Sequence, residues 1–248
     1  MNARRALLVV LCVSAAIACT FLGFWQLDRH RERQVAVREQ AARMSNPPVG
    51  AAEVLSGASQ FDNRRVLLTG QLDLANEIVL MNRTRRGAPG VHLFTPMILA
   101  GTDSAIMINR GWVYSPDGAT VDLAQWRAGI TPSDTNMQVS NPIEVSGIVV
   151  HHPADSAALP LSSQSLSARR ISRLRHENVE ALLPYRVAKA YVQLLPADTN
   201  VRSGVPTPVP PAAGGPGPHL SYAVQWFAFA AISLAGCAAL LIHGRRTP

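Results

Sequence analysis

The side chains whose types suit chemistry gather at the inner ends of two long apolar runs. Trp25, Gln26 and Arg29 stand where the first run stops, and His219, Tyr222, Gln225 and Trp226 where the second begins. Tryptophan and tyrosine favour the headgroup level of any bilayer, so an interfacial belt accounts for the rings. Gln26, Gln225 and His219 fit such a belt less well, because amides and imidazoles at that depth need partners. A neutral imidazole is also a metal ligand, and a guanidinium pairs with carboxylates, so a polar binding site is the competing reading.

A second cluster is Asn109-Arg110-Gly111-Trp112-Val113. It is expected to follow a strand and turn the chain, with Gly111 supplying backbone freedom, Trp112 packing and Arg110 bonding carbonyls; partner binding is the alternative. His151-His152 before Pro153 reads as a turn or strand end rather than a metal site. His176-Glu177 lacks the second histidine that a zinc-binding helix requires. No Gly-x-Ser-x-Gly elbow, phosphate-binding loop or dinucleotide fingerprint occurs, and no motif supports an enzyme. Cys12, Cys19 and Cys237 all fall inside the apolar runs, which leaves the intervening chain without a disulfide or thiolate site.

These groups must be positioned by the runs themselves. From Ala6 to Leu27, 22 residues carry no charge, and from Tyr222 to Ile242, 21 do the same. At about 1.5 Å per residue each crosses a hydrocarbon core of about 30 Å. Ala16-Ile17-Ala18-Cys19 loosely resembles a lipoprotein cleavage box, but the run continues through Phe21, Phe24 and Leu27, so a retained anchor is favoured over a signal peptide. No Arg-rich, Ser-rich leader precedes Ala6, which points to a bacterial plasma membrane. Arginines flank the first run on both sides, whereas Arg245 and Arg246 directly follow the second. Both termini are therefore expected in the cytoplasm and the central domain outside it.

Between the runs, the charged stretch 28–48 continues the first helix until Asn46-Pro47-Pro48 stops it. Val66–Leu72, Ile78–Asn82, Val91–Leu99, Ala105–Val113, Ile143–Val150 and Ala190–Leu195 read as strands. Thr84–Gly90 reads as turn chemistry, 152–175 as a mobile loop, Asn178–Leu183 as a short helix, and 203–221 as a Pro/Gly-rich tether. Connections too short for helical crossovers predict an antiparallel sheet over 49–202 that curls into a partly closed barrel. The expected class is thus an α+β membrane protein: transmembrane helices at 6–27 and 222–242 flank an extracytoplasmic β domain, with cytoplasmic ends at 1–5 and 243–248. The net charge of +7 is scattered arginine with no basic helix or aromatic RNA-reading motif, which excludes nucleic acid and suits membrane lipids or acidic partners.

Leu22-Gly23-Phe24-Trp25-Gln26-Leu27-Asp28-Arg29, Asn82-Arg83 with Gly87 and Pro89-Gly90, Thr95-Pro96, Asn109-Arg110-Gly111-Trp112-Val113 and His219-Leu220-Ser221-Tyr222-Ala223-Val224-Gln225-Trp226-Phe227 occur in this order. Together they resemble the Surfeit locus protein 1 family, whereas 152–186 departs from its pattern. The resemblance implies a cytochrome c oxidase assembly factor that binds haem a and assists its insertion into subunit I, with haem a synthase a further partner. It implies His219 as iron ligand, with Trp25, Arg29, Gln225 and Trp226 around the cofactor, and a structural or partner-binding role for Asn109, Arg110 and Trp112. A membrane scaffold that stabilises an assembly intermediate without haem is the alternative.

Overall fold

The computed structural model describes residues 3–127, 142–152, 169–195, 204–209 and 217–243. Along the chain run helix α1 (Ala3–Ser45), α2 (Ala51–Leu55), strands β1 (Arg65–Leu72), β2 (Ile78–Arg85), β3 (Ala88–Leu99), β4 (Ser104–Tyr114), β5 (Ile143–His151) and β6 (Arg170–Ile171). Helix α3 (His176–Glu180), strand β7 (Arg186–Leu194) and helix α4 (His219–His243) complete the order. They divide into a helical unit, Met1–Ala41 with Ala213–Pro248, and a β unit, Ala42–Ala212.

In the helical unit, α1 and α4 are long and apolar enough to cross a membrane. They pack through small residues: Ala16, Ala223 and Ala230 are almost wholly buried while Phe21, Ile17 and Ile232 face outward. Ala16 and Gly23 are seven residues apart, as are Ala223, Ala230 and Cys237, a spacing that keeps one seam per helix facing its neighbour. Gly23 is required at this seam. A Cβ there would lie 2.6 Å from the ring of Phe227, which also meets Phe24 edge-on at 5.3 Å.

In the β unit, β1 pairs with β5, β5 with β7, β7 with β4, β4 with β3, and the far half of β3 returns to β1. Five strands therefore close a barrel, while β2 and β6 extend from the near half of β3. β1 alternates strictly between exposed and buried positions, its inward Val66, Leu68 and Leu72 joining Met97, Ile106, Ile108, Val149 and Val192 inside the barrel. β4 is buried on both faces, because Met107 points away from Ile106 and Ile108 into a second cluster with Ile78, Phe94, Ile171, Leu174 and Val179. That double burial explains why Ala105–Ile108 reads as an unbroken apolar run.

The sheet departs from the all-antiparallel expectation: β7 lies parallel to β4, and β6 parallel to β2. The short spacings on which that expectation rested bound only neighbouring strands, whereas β4 and β7 are separated by β5, β6 and α3. Of the loop expected at 152–175, residues 153–168 lie outside the described residues. The remainder is not loose, since Ile171 and Leu174 insert into the second cluster and β6 adds to the sheet. The turn expected over Thr84–Gly90 narrows to Arg86-Gly87, both at positive φ, with β2 and β3 occupying the rest. Within 203–221, Gly204–Val209 is stitched to the β unit, Thr207 exchanging two backbone hydrogen bonds with Trp112 at 2.7 and 2.8 Å. The helix expected from Tyr222 already begins at His219.

Candidate functional site

His219 is the first residue of α4, and its Nδ1 lies 3.0 Å from Oε1 of Gln26 on α1. With the amide oxygen facing the ring, Nδ1 is the donor, which in the neutral imidazole leaves the lone pair on Nε2. Gly217, at φ +70°, keeps that side of the ring open: a Cβ there would lie 3.1 Å from Cδ2 and 3.3 Å from Nε2. The carbonyl of Pro218 accepts from the backbone of Tyr222 at 3.1 Å and from Oγ of Ser221 at 2.7 Å, so the first turn of α4 holds the imidazole in place. An oriented, half-buried imidazole with a free Nε2 lone pair is what an axial metal ligand requires.

The other residues expected at this site divide among different partners. Trp25 is 47% exposed and carries the guanidinium of Arg29 over its ring at 5.8 Å. Arg29 also forms an exposed ion pair with Glu32 at 2.8 Å. Trp226 is half-buried and meets Phe229 edge-on at 6.0 Å, while Gln225 is exposed. The helix pair thus brings His219 to Gln26, and the two tryptophan rings each to a neighbour on their own helix.

Asn109, Arg110 and Trp112 form a β-bulge inside β4 rather than a turn. Leu93 pairs with Gly111 and Phe94 with Asn109, which leaves Arg110 as the extra residue. Asn109 Oδ1 accepts from the backbone of Gly111 at 3.1 Å, and Gly111, at φ +133°, abuts the Thr207 carbonyl where no Cβ fits. The bulge aims Arg110 into the protein, where it donates to Glu77 and to the carbonyl of Trp126. Glu77, its side chain 1% exposed, also accepts from Thr95 at 2.9 Å and pairs with Arg127 at 2.9 Å. Trp112 is half-buried and donates from Nε1 to the carbonyl of Arg83 at 3.1 Å.

Glu77 was not singled out in the sequence, although a lone acid directly before the apolar Ile78–Met81 run was the available signal. Arg85 and Arg86 fall in the stretch expected as turn chemistry and Arg83 enters only through the Asn82-Arg83 block, yet the three line a cleft of about 440 Å³ beside His92 and Trp112. Burial, and secondarily the charge of Arg83, push the His92 pKa down to about 4, so this imidazole is neutral at physiological pH.

Two apolar terminal helices, a polar pair where they meet, and a bulged five-strand barrel in the intervening sequence define one class of protein. The model of the SURF1 family matches residues 13–231, and the chain belongs to that family. A SURF1-like protein of Rickettsia conorii is 24% identical over 212 residues, covering 84% of this chain and 80% of its own length. One from Monosiga brevicollis is 24% identical over 234 residues, covering 90% and 83%. The cytochrome oxidase assembly protein SHY1 of Saccharomyces cerevisiae is 24% identical over 111 residues, 44% of this chain and 28% of its own length.

Proposed function

We propose that this protein is a non-enzymatic assembly factor of cytochrome c oxidase, anchored in a bacterial plasma membrane by α1 and α4, that holds haem a for insertion into subunit I. Membership of the SURF1 family and the likeness to a cytochrome oxidase assembly protein support the assembly role. The observation that carries the haem reading is the His219–Gln26 pair. Gln26 fixes the imidazole tautomer, Gly217 leaves Nε2 unobstructed, and flanking apolar helix surface suits an amphiphilic macrocycle.

Bound haem a would supply the iron centre destined for the oxidase. His219 would ligate it from Nε2, and Trp25 and Trp226 would offer ring faces to it. Arg29 would exchange Glu32 for a propionate, which its exposed position permits at small cost. Haem a synthase is the natural source of the cofactor and subunit I its recipient. Both chain termini would face the cytoplasm and the β unit the opposite side, so a reporter fused at residue 120 should report an extracytoplasmic position.

The experiment is to purify the full chain from cells that make haem a and record its absorption spectrum. Wild-type protein should carry haem a, and His219→Ala should lose it while accumulating normally in the membrane. Haem retained by His219→Ala would remove this residue from the site. Wild-type protein that never carries haem would favour the scaffold reading.

A further inference from the structure

The hairpin of β2 and β3 presents a concentration of positive charge that the haem reading does not use. Arg83, Arg85 and Arg86 line the same cleft with His92, Trp112 and Val209, and among the described residues no carboxylate lines it. Four arginines outside the cleft have acidic partners: Arg110 and Arg127 share Glu77, Arg29 takes Glu32, and Arg31 takes Asp28. Among the described residues none of the three cleft arginines has an acidic partner within ion-pair distance. Arg83 is also half-buried, donating from Nη2 to the Ser172 carbonyl at 2.8 Å while its Nε is buried without an acceptor. A guanidinium that is partly desolvated and incompletely bonded gains from an anion more than a solvated one does.

The cleft is held in shape before any ligand arrives. The register shift between Leu80 and Arg83, with Asn82 at φ +59° and Arg86 at φ +50°, sets the course of the backbone that carries the arginines. Trp112 clamps the Arg83 carbonyl through its indole N–H, and the Arg85 guanidinium lies 5.9 Å from the Trp112 ring centre. Gly90 is necessary beneath this arrangement, since a Cβ would strike the Trp112 ring and the Val113 carbonyl. His92 stays neutral, so the positive charge of the cleft comes from the three arginines. Trp112 and Val209 add apolar surface beside the cations.

We propose that this cleft binds an acidic polypeptide segment of a partner protein, seating carboxylate side chains on Arg83, Arg85 and Arg86 with an apolar residue against Trp112 and Val209. Guanidinium forks match carboxylates in geometry as well as charge. The choice of a polypeptide over a small carboxylate rests on the assembly role proposed above.

The test uses the purified full chain in neutral detergent and a fluorescent peptide of alternating Glu and Leu, read by anisotropy at low salt. Its Gln-for-Glu counterpart should bind about tenfold or more weakly, and the double variant R85Q/R86Q should lose affinity by a similar factor. R65Q/R186Q removes the same charge from exposed strand residues and should retain binding. Equal binding of the Glu and Gln peptides, or equal loss in the two double variants, would overturn the proposal. Succinate binding as tightly as the peptide would reassign the cleft to small carboxylates and likewise overturn it. Because the readout is peptide binding to the purified chain, unchanged oxidase levels in cells lacking the protein would refute the assembly role without altering this result.

Discussion

The imidazole Nδ1 of His219 and the amide Oε1 of Gln26 lie 3.0 Å apart although 193 positions separate them in the sequence. The contact makes Gln26 a positioning residue for the iron ligand proposed at His219. Outer-shell partners of this kind typically contribute roughly 10- to 100-fold in metal affinity. Gln26→Ala should therefore weaken haem a binding by about that factor, measured by spectroscopic titration of the purified chain. Gln26→Glu, which still accepts from Nδ1, should restore most of it. Equal affinity in all three proteins would show that the tautomer is set by something else.

Gly23 lies one turn before Gln26 on α1 and has the ring of Phe227 against it. A larger side chain must push the helices apart or displace that ring, and overpacking of a close seam costs roughly 1–3 kcal/mol. Gly23→Leu should lower the thermal stability of the helical unit and weaken haem retention together, because the His219–Gln26 contact depends on helix spacing. The pairing Gly23→Leu with Phe227→Ala should recover part of both. Haem retention that survives the loss of stability would separate the ligand site from the seam.

Glu77 is buried, with Arg110, Arg127 and Thr95 bonded to its two oxygens. Removing its charge leaves Arg110 buried with no counter-ion, a situation that typically costs about 3–5 kcal/mol. Glu77→Gln should lower the unfolding temperature of the β unit by on the order of 10 °C, measured on the full chain in detergent. A change of only a degree or two would mean that water or another group compensates Arg110.

The elements that local pattern specifies were legible in the sequence. Both long helices and six of the seven strands follow from apolar runs bounded by turn residues, and the break after Ser45 follows from Pro47 and Pro48. Long-range choices were not. The pairing of β7 with β4 depends on closure of the barrel, which no window of sequence reports. β6 is two residues long and buries only Ile171, too little to register against its polar neighbours. The bulge at Arg110 was hidden because Asn109-Arg110-Gly111 has turn composition, yet it lies between two paired stretches of β4. At the helix pair, His219 and Gln26 could each be marked as polar groups needing a partner. That they partner each other required the packing of α1 on α4.

His152 follows β5 and lies against His176, with ring centres 6.0 Å apart, and against Tyr191 at 5.5 Å. Burial, reinforced by the charges of His176 and His151 and opposed by Glu177, lowers its pKa to about 4; burial beside Arg83 does the same to His92. Both groups titrate near 6.5 when unfolded, so between pH 6.5 and 4 the unfolded chain holds more protons than the folded one. Stability from these two residues is complete above pH 6.5 and is lost progressively as the pH falls toward 4. At pH 5 the loss is on the order of 2 kcal/mol for each ring. Denaturant unfolding at pH 7 and pH 5 should therefore show a marked fall, and His152→Asn or His92→Asn should each flatten it by about half, even where the substitution lowers stability at pH 7. An unchanged slope in both variants would assign the acid sensitivity to other groups.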